Sequence, residues 1–137
     1  HELSYCEDTS NADVRHTRNR LRHDILPALE AALGRNIRPA LSRAAEILTN
    51  EDELLASLTP NLGNSGETSV EDLRPLPTAL QRRALHAWLC DNGVPNVSFE
   101  DVENVRQLLT RIAPSKVNLS DGWHARRRAK RLFLERA

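Results

Sequence analysis

The chain has 137 residues, the length of one ordinary domain or of a domain with a small appendage. Hydrophobic residues make up 39% and charged residues 28%, which excludes a disordered chain, and no apolar run is long enough for a membrane span or a signal-peptide core. The 19 basic and 19 acidic residues cancel, so net charge by itself points to no partner, but the charges are segregated. Residues 15–43 hold seven basic and two acidic residues, 46–72 seven acidic and no basic, and 116–137 seven basic and two acidic. That basic, acidic, basic order points to an anionic partner for the two ends. Arginine supplies 17 of the 19 cations, and its fork suits bidentate contacts to phosphate or carboxylate. Cys6 and Cys90 lie 84 positions apart, give neither a disulfide framework nor a metal-ligand spacing, and fit a reducing, cytoplasmic setting. With no methionine at all, the chain is expected to be the later part of a longer product.

Residues 1–13 are polar and turn-rich. Asn11 and Asp13 are N-cap residues, and Leu21, Ile25 and Leu29 follow at helical spacing. Pro27 must kink this helix or open a new one, with Asp24 as its cap. The clearest element is a long helix capped by Asn36, with Pro39 in its first turn. Leu41, Ala44, Ala45, Leu48, Leu55 and Leu58 stripe it up to Thr59-Pro60. Residues 61–69, with Gly63, Asn64, Ser65 and Gly66, read as a flexible loop. A third helix begins near Thr78, carries Leu80, Ala84, Leu85, Trp88 and Leu89, and stops at Asn92-Gly93. Ser98 with Asp101 is a capping-box pattern opening a fourth helix through Phe99, Val102, Val105, Leu109 and Ile112 to Pro114. The period then drops to two. Val117 and Leu119 alternate with polar residues, Asp121-Gly122 reads as a two-residue hairpin turn, residues 123–128 return, and Leu132 and Leu134 mark a third strand. The sequence therefore predicts a mainly α fold of four main helices with a small C-terminal antiparallel β meander, an α+β chain.

The five glycines are isolated or in turns, which excludes a Walker loop and a dinucleotide fingerprint. The five histidines form no HxxxH pair, and no metal site is expected. Two features remain. The first is Glu7-Asp8-Thr9-Ser10-Asn11-Ala12-Asp13 ahead of Arg18-Asn19-Arg20-Leu21-Arg22-His23. On a helix Arg18 and Arg22 share a face one turn apart while Arg20 points elsewhere. Such guanidiniums can hold an acidic turn by bidentate hydrogen bonds. The same pattern also reads as a capped helix start whose acids pair with its arginines, with no further role. The second feature is Arg126-Arg127-Arg128-Ala129-Lys130-Arg131. Strand alternation forbids all of these from lining one surface, so some cations go to the solvent face or to the turn around Ala129-Lys130. Trp123 and His124 beside them offer stacking surfaces of the kind a nucleic-acid site uses. A solvated edge guarded by cations against edge-to-edge pairing fits the same residues. Trp88, on an apolar helical face, reads as core.

The first feature, continued by Ile25-Leu26-Pro27-Ala28-Leu29-Glu30, resembles the signature of the tRNA(Ile)-lysidine synthase family, roughly ED-x-(S/T)-N-x-D…RN-R-(I/L)-RH-x-(I/L)-LP-x-LE, which closes that family's catalytic domain. The run from Leu80 to Leu89 is similar to the family's next domain. So is the ending, with Val117, Leu119, Gly122-Trp123, Arg126-Arg127, Leu132 and Leu134, and the resemblance covers nearly the whole chain.

The resemblance implies a carbon–nitrogen ligase. ATP, with Mg2+, adenylates the wobble cytidine of the CAU-anticodon isoleucine tRNA, and free lysine, its amine neutral and positioned, is coupled at that carbon. The family's ATP loop, SGGxDS, and its acidic lysine-activating residues do not occur in this chain, so the chain is expected to bind no cofactor and to be inactive alone. By the same resemblance residues 1–35 end the catalytic domain, and 36–137 form a helical plus β-hairpin domain that helps hold tRNA. Arg18, Arg20 and Arg22 match the arginine motif and are the catalytic candidates at the edge of the nucleotide cavity. Asn19 is expected to fix the turn, and Glu7, Asp8 and Asn11 to hold the arginines. Arg126, Arg127, Arg128, Lys130 and Arg131 are expected to contact the tRNA backbone. The expected setting is the cytoplasm, with no membrane partner. Exposed Leu21, Ile25 and Leu29 would drive self-association, with a homodimer among the outcomes. A second class of reading is a non-catalytic RNA-binding or structural module derived from the synthase.

Overall fold

The computed structural model describes residues 17–110, 112 and 114–136. The acidic turn of Glu7, Asp8 and Asn11 lies outside those residues. Helix α1 (Thr17–Arg20) runs through a π-helical turn, Leu21–Ile25, into α2 (Leu26–Leu33). Pro27, with no N–H to donate, sits in the first turn of α2, and the Leu26 N–H reaches back to the Leu21 carbonyl. Asp24 does not cap α2. The flanking residue is Ile25, itself helical, and no side chain caps it. Leu21, Ile25 and Leu29 are exposed, as the pattern of an unpartnered apolar face predicts.

Helix α3 (Arg38–Leu58) is the long element expected, and Asn36 Oδ1 accepts the Arg38 N–H at 3.0 Å. The stripe along it is solvent-exposed at Leu41, Leu48 and Leu58. The chain divides into two compact units, residues 1–50 and 51–137.

The second unit builds one core. After the end of α3 come β1 (Glu67–Ser69), α4 (Val70–Leu73), α5 (Thr78–Asp91), α6 (Phe99–Gln107), β2 (Lys116–Asn118), β3 (Trp123–Arg128) and β4 (Arg131–Arg136). The strands form one antiparallel sheet in the order β1-β4-β3-β2. Leu73, Leu85, Trp88, Leu89, Val105 and Leu108 from the helices and the segments that end them close on Ala125 and Leu132 of the sheet, all fully buried. Burying each of the larger side chains contributes about 1.5–3 kcal/mol relative to exposure. Trp88 is core, as its helical position predicts.

The sheet has four strands where the sequence suggests three. Residues 67–69, read as part of a flexible loop, pair with β4 in the register Glu67↔Phe133, Thr68↔Leu132, Ser69↔Arg131. Three residues are too few to show a period, and the strand exists because β4 offers it an edge. The Asp121-Gly122 link is a three-residue turn rather than a two-residue one. Leu119 N–H donates to the Trp123 carbonyl at 2.8 Å, and Ser120–Gly122 forms a 3-10 turn between them. The two-residue hairpin turn lies instead at Ala129-Lys130, where φ of 47° and 66° meets the demand of a type I′ turn. Helix α6 stops at Gln107, well short of Pro114, and Ile112 is fully exposed. Leu108 and Leu109 tighten into i→i−3 turns, and Arg127 takes up the carbonyls of Leu108 and Thr110.

Candidate nucleic-acid interface

Strand alternation sorts the basic run onto two faces. Trp123, Ala125 and Arg127 of β3 turn toward the helices, with Leu132, Leu134 and Arg136 opposite them on β4. His124, Arg126 and Arg128 turn outward, with Arg131, Phe133 and Glu135 opposite them, and Lys116 of β2 stands beside Arg126. The outer face therefore gathers Lys116, Arg126, Arg128 and Arg131, all exposed, around a half-buried Phe133. Lys130 projects from the turn.

Arg127 is separated from this group. Its Nη1 donates to the Leu108 carbonyl at 2.9 Å and to the Thr110 carbonyl, so it ties β3 to the end of α6. Trp123 packs against the core, with the Arg136 guanidinium carbon 5.8 Å over its ring. Of the two expected stacking residues only His124 lies on the outer face. The aromatic residue that does occupy its middle, Phe133, was legible only as the odd residue between Leu132 and Leu134.

Carboxylates set the charge of the face. His124 Nε2 and Glu135 Oε2 are 2.8 Å apart, and Arg126 lies 3.8 Å from the same oxygen. Arg131 pairs with Glu67, and Lys130 with Glu71 at 2.7 Å. The His124 hydrogen bond, with the charges of Arg126 and Lys116, holds the Glu135 carboxyl below the usual range, and Lys130 does the same to Glu71. Arg128 makes no side-chain hydrogen bond or ion pair among the described residues. The face thus keeps positive charge in excess of its three carboxylates.

In the first unit Arg18, Arg22 and Arg38 line a cleft of about 590 Å³ with Thr17, Leu21 and Leu26. Arg20 is not among its lining residues. The helical geometry thus brings Arg18 and Arg22 together as the one-turn spacing predicts. Arg38 Nε also bonds Glu30 at 3.3 Å. Among the described residues no group of three or more His, Cys, Asp or Glu stands ready to hold a metal ion, and no helix is long and apolar enough to cross a membrane.

Helices on one face of an antiparallel sheet whose other face is basic define an α+β domain. Residues 69–133, from the cap of α4 to Phe133, match the family model described as the TilS substrate binding domain. The tRNA(Ile)-lysidine synthase of Mycobacterium leprae is 34% identical over 112 residues, 79% of this chain and 35% of the relative. That of Gloeobacter violaceus is 34% identical over 129 residues, 91% of this chain and 39% of the relative. The Synechococcus protein of the same name is 38% identical over 117 residues, 80% and 34% of the two chains. The chain belongs to the tRNA(Ile)-lysidine synthase family. It spans little more than a third of the length of these relatives.

Proposed function

We propose that the chain is part of a cytoplasmic tRNA(Ile)-lysidine synthase and that the outer face of its sheet holds the tRNA backbone. The observation that carries this is the convergence of Lys116, Arg126, Arg128 and Arg131 on one open face of the domain that matches the family. Guanidiniums at strand spacing meet successive phosphates without reading sequence. Lys130 extends the positive surface at the turn, while Arg127 acts through β3, which it anchors.

The reaction read for the whole enzyme is the conversion of the wobble cytidine of the CAU-anticodon isoleucine tRNA to lysidine, with ATP activating the base and free lysine adding to it. The residues present do not fit ATP and Mg2+ as a complete site, since the chain has no SGGxDS loop and its described residues offer no cluster of metal ligands. No chemical step is assigned to this chain. The cleft of Arg18 and Arg22 borders the nucleotide site in this reading, with Asn19 shaping the turn and Arg20 outside the cleft. Nucleoside mass spectrometry of tRNA incubated with the 137-residue chain, ATP and lysine is expected to find no lysidine. ATP-dependent lysidine from the chain alone would contradict the assignment.

A further inference from the structure

A groove of about 730 Å³ lies between the end of α3, the 59–62 link, α5 and the start of α6, and no strand residue lines it. Its size suits a single planar heterocycle with its sugar. Phe99, the first residue of α6, is 70% exposed at its wall. The Arg82 guanidinium carbon lies 5.3 Å over the Phe99 ring centroid. Arg82 is held there by two bonds to Glu103, from Nε at 2.7 Å and from Nη2 at 3.2 Å. Trp88 also lines the groove. It is 1% exposed, and its indole N–H has no hydrogen-bond partner among the described residues. A buried donor left unpaired costs free energy in the fold as it stands. Arg83 and His86, three residues apart on α5, add further donors.

The charges say what kind of molecule fits. Glu103 bonds both Arg82 and Arg106, Asp52 bonds Arg83 at 2.6 Å, and Asp91 of the lining is a third carboxylate, so three carboxylates match the three arginines. No cation is left over for a phosphate, while aromatic surface and donors are plentiful. A neutral, flat, acceptor-bearing ring matches that lining.

We propose that this groove receives an unpaired nucleobase of the bound RNA, stacked on Phe99, with its acceptors meeting the donors of α5. The proposal rests on the outer sheet face as the backbone contact, which brings RNA to this unit. A free nucleotide is the poorer occupant, because its phosphates find no free cation here.

Titration of the 137-residue chain with a short single-stranded RNA and with a blunt RNA duplex tests it. Phe99→Ala is expected to weaken single-strand binding by about tenfold, the worth of roughly one stacked base, and to leave duplex binding unchanged. Phe99→Tyr should retain wild-type affinity. In a Trp123→Phe background Trp88 is the sole tryptophan, and the single strand should quench its emission. Because Phe99 is exposed, the variants should keep the wild-type melting temperature. Single-strand affinity within twofold of wild type in Phe99→Ala would overturn the proposal. So would equal loss of both RNAs, or quenching of Trp88 by AMP at the same concentration as by RNA. Arg126→Gln/Arg128→Gln separates the two readings, because it should weaken both RNAs. If it does so while Phe99→Ala changes nothing, the sheet face stands and the groove does not. If the wild-type chain binds neither RNA, both fail.

Discussion

Asp101 is buried, and burial alone would raise its pKa. Donors from two separate segments outweigh that. Ser98 gives its N–H at 3.0 Å and its hydroxyl at 2.7 Å, while Ser120 gives its N–H at 3.2 Å and its hydroxyl at 3.0 Å, so the carboxyl sits below the ordinary aspartate range. Asp101→Ala removes a capping box and leaves the Ser98 and Ser120 N–H groups without an acceptor. We expect a loss of about 2 kcal/mol in urea unfolding, and a change below about 0.5 kcal/mol, the scale of an ordinary surface substitution, would contradict this role. Two residues on, hydrogen bonds from Arg82 and then Arg106 pull the Glu103 carboxyl down to about 2. Its folded pKa lies below an unfolded value of about 4.3, so the unfolded chain binds the extra proton between the two. Glu103 therefore stabilises the fold above about pH 4.3, and that contribution drains away as pH falls toward 2. Glu103→Gln should cost about 1 kcal/mol at neutral pH, discounted for partial exposure, and flatten the acid limb of a stability–pH profile. An unchanged limb would show that other carboxylates govern it. The Ser98–Asp101 half of this arrangement was legible as a local S-x-x-D pattern. The Ser120 half was not, because nothing local joins residues 19 apart.

At the scale of elements, the turn between β3 and β4 stores strain. Ala129 and Lys130 both occupy the left-handed region, at φ 47° and 66°, where a residue with a Cβ costs about 1–2 kcal/mol. Ala129→Asn with Lys130→Gly supplies the residues a type I′ turn prefers and should raise stability by about 1–2 kcal/mol, read as a higher melting temperature. Removing the exposed Lys130–Glu71 pair should subtract little. A lower melting temperature would contradict the turn geometry. Long elements showed in the sequence because period and caps repeat over many residues, as in α3 and α5. What escaped was set by tertiary neighbours. β1 exists because β4 has an open edge, α6 ends just before the Leu108 and Thr110 carbonyls that Arg127 takes up, and the π turn ahead of Pro27 answers a missing donor.

Across the whole molecule, the charge segregation of the chain is partly undone by folding. Glu67 and Glu71 of the acidic stretch pair with Arg131 and Lys130 of the basic end. The remaining excess falls on the outer sheet face, where Arg128 stands without a partner among the described residues and Arg126 shares Glu135 with His124. The presence of that basic surface was readable from the run Arg126 to Arg131, but its membership was not. Alternation moved Arg127 and Trp123 inward, and pairing with β4 brought Phe133 to the middle. In the function proposed above, this face binds RNA through its phosphates. The most direct test is the salt dependence of tRNA binding by the 137-residue chain and by Arg126→Gln/Arg128→Gln. Removing one cation that meets a phosphate should lower the slope of log K against log salt by about one, so the double variant should bind more weakly at low salt with a slope smaller by about two. An unchanged slope would contradict the account and leave the sheet face as a solvated edge.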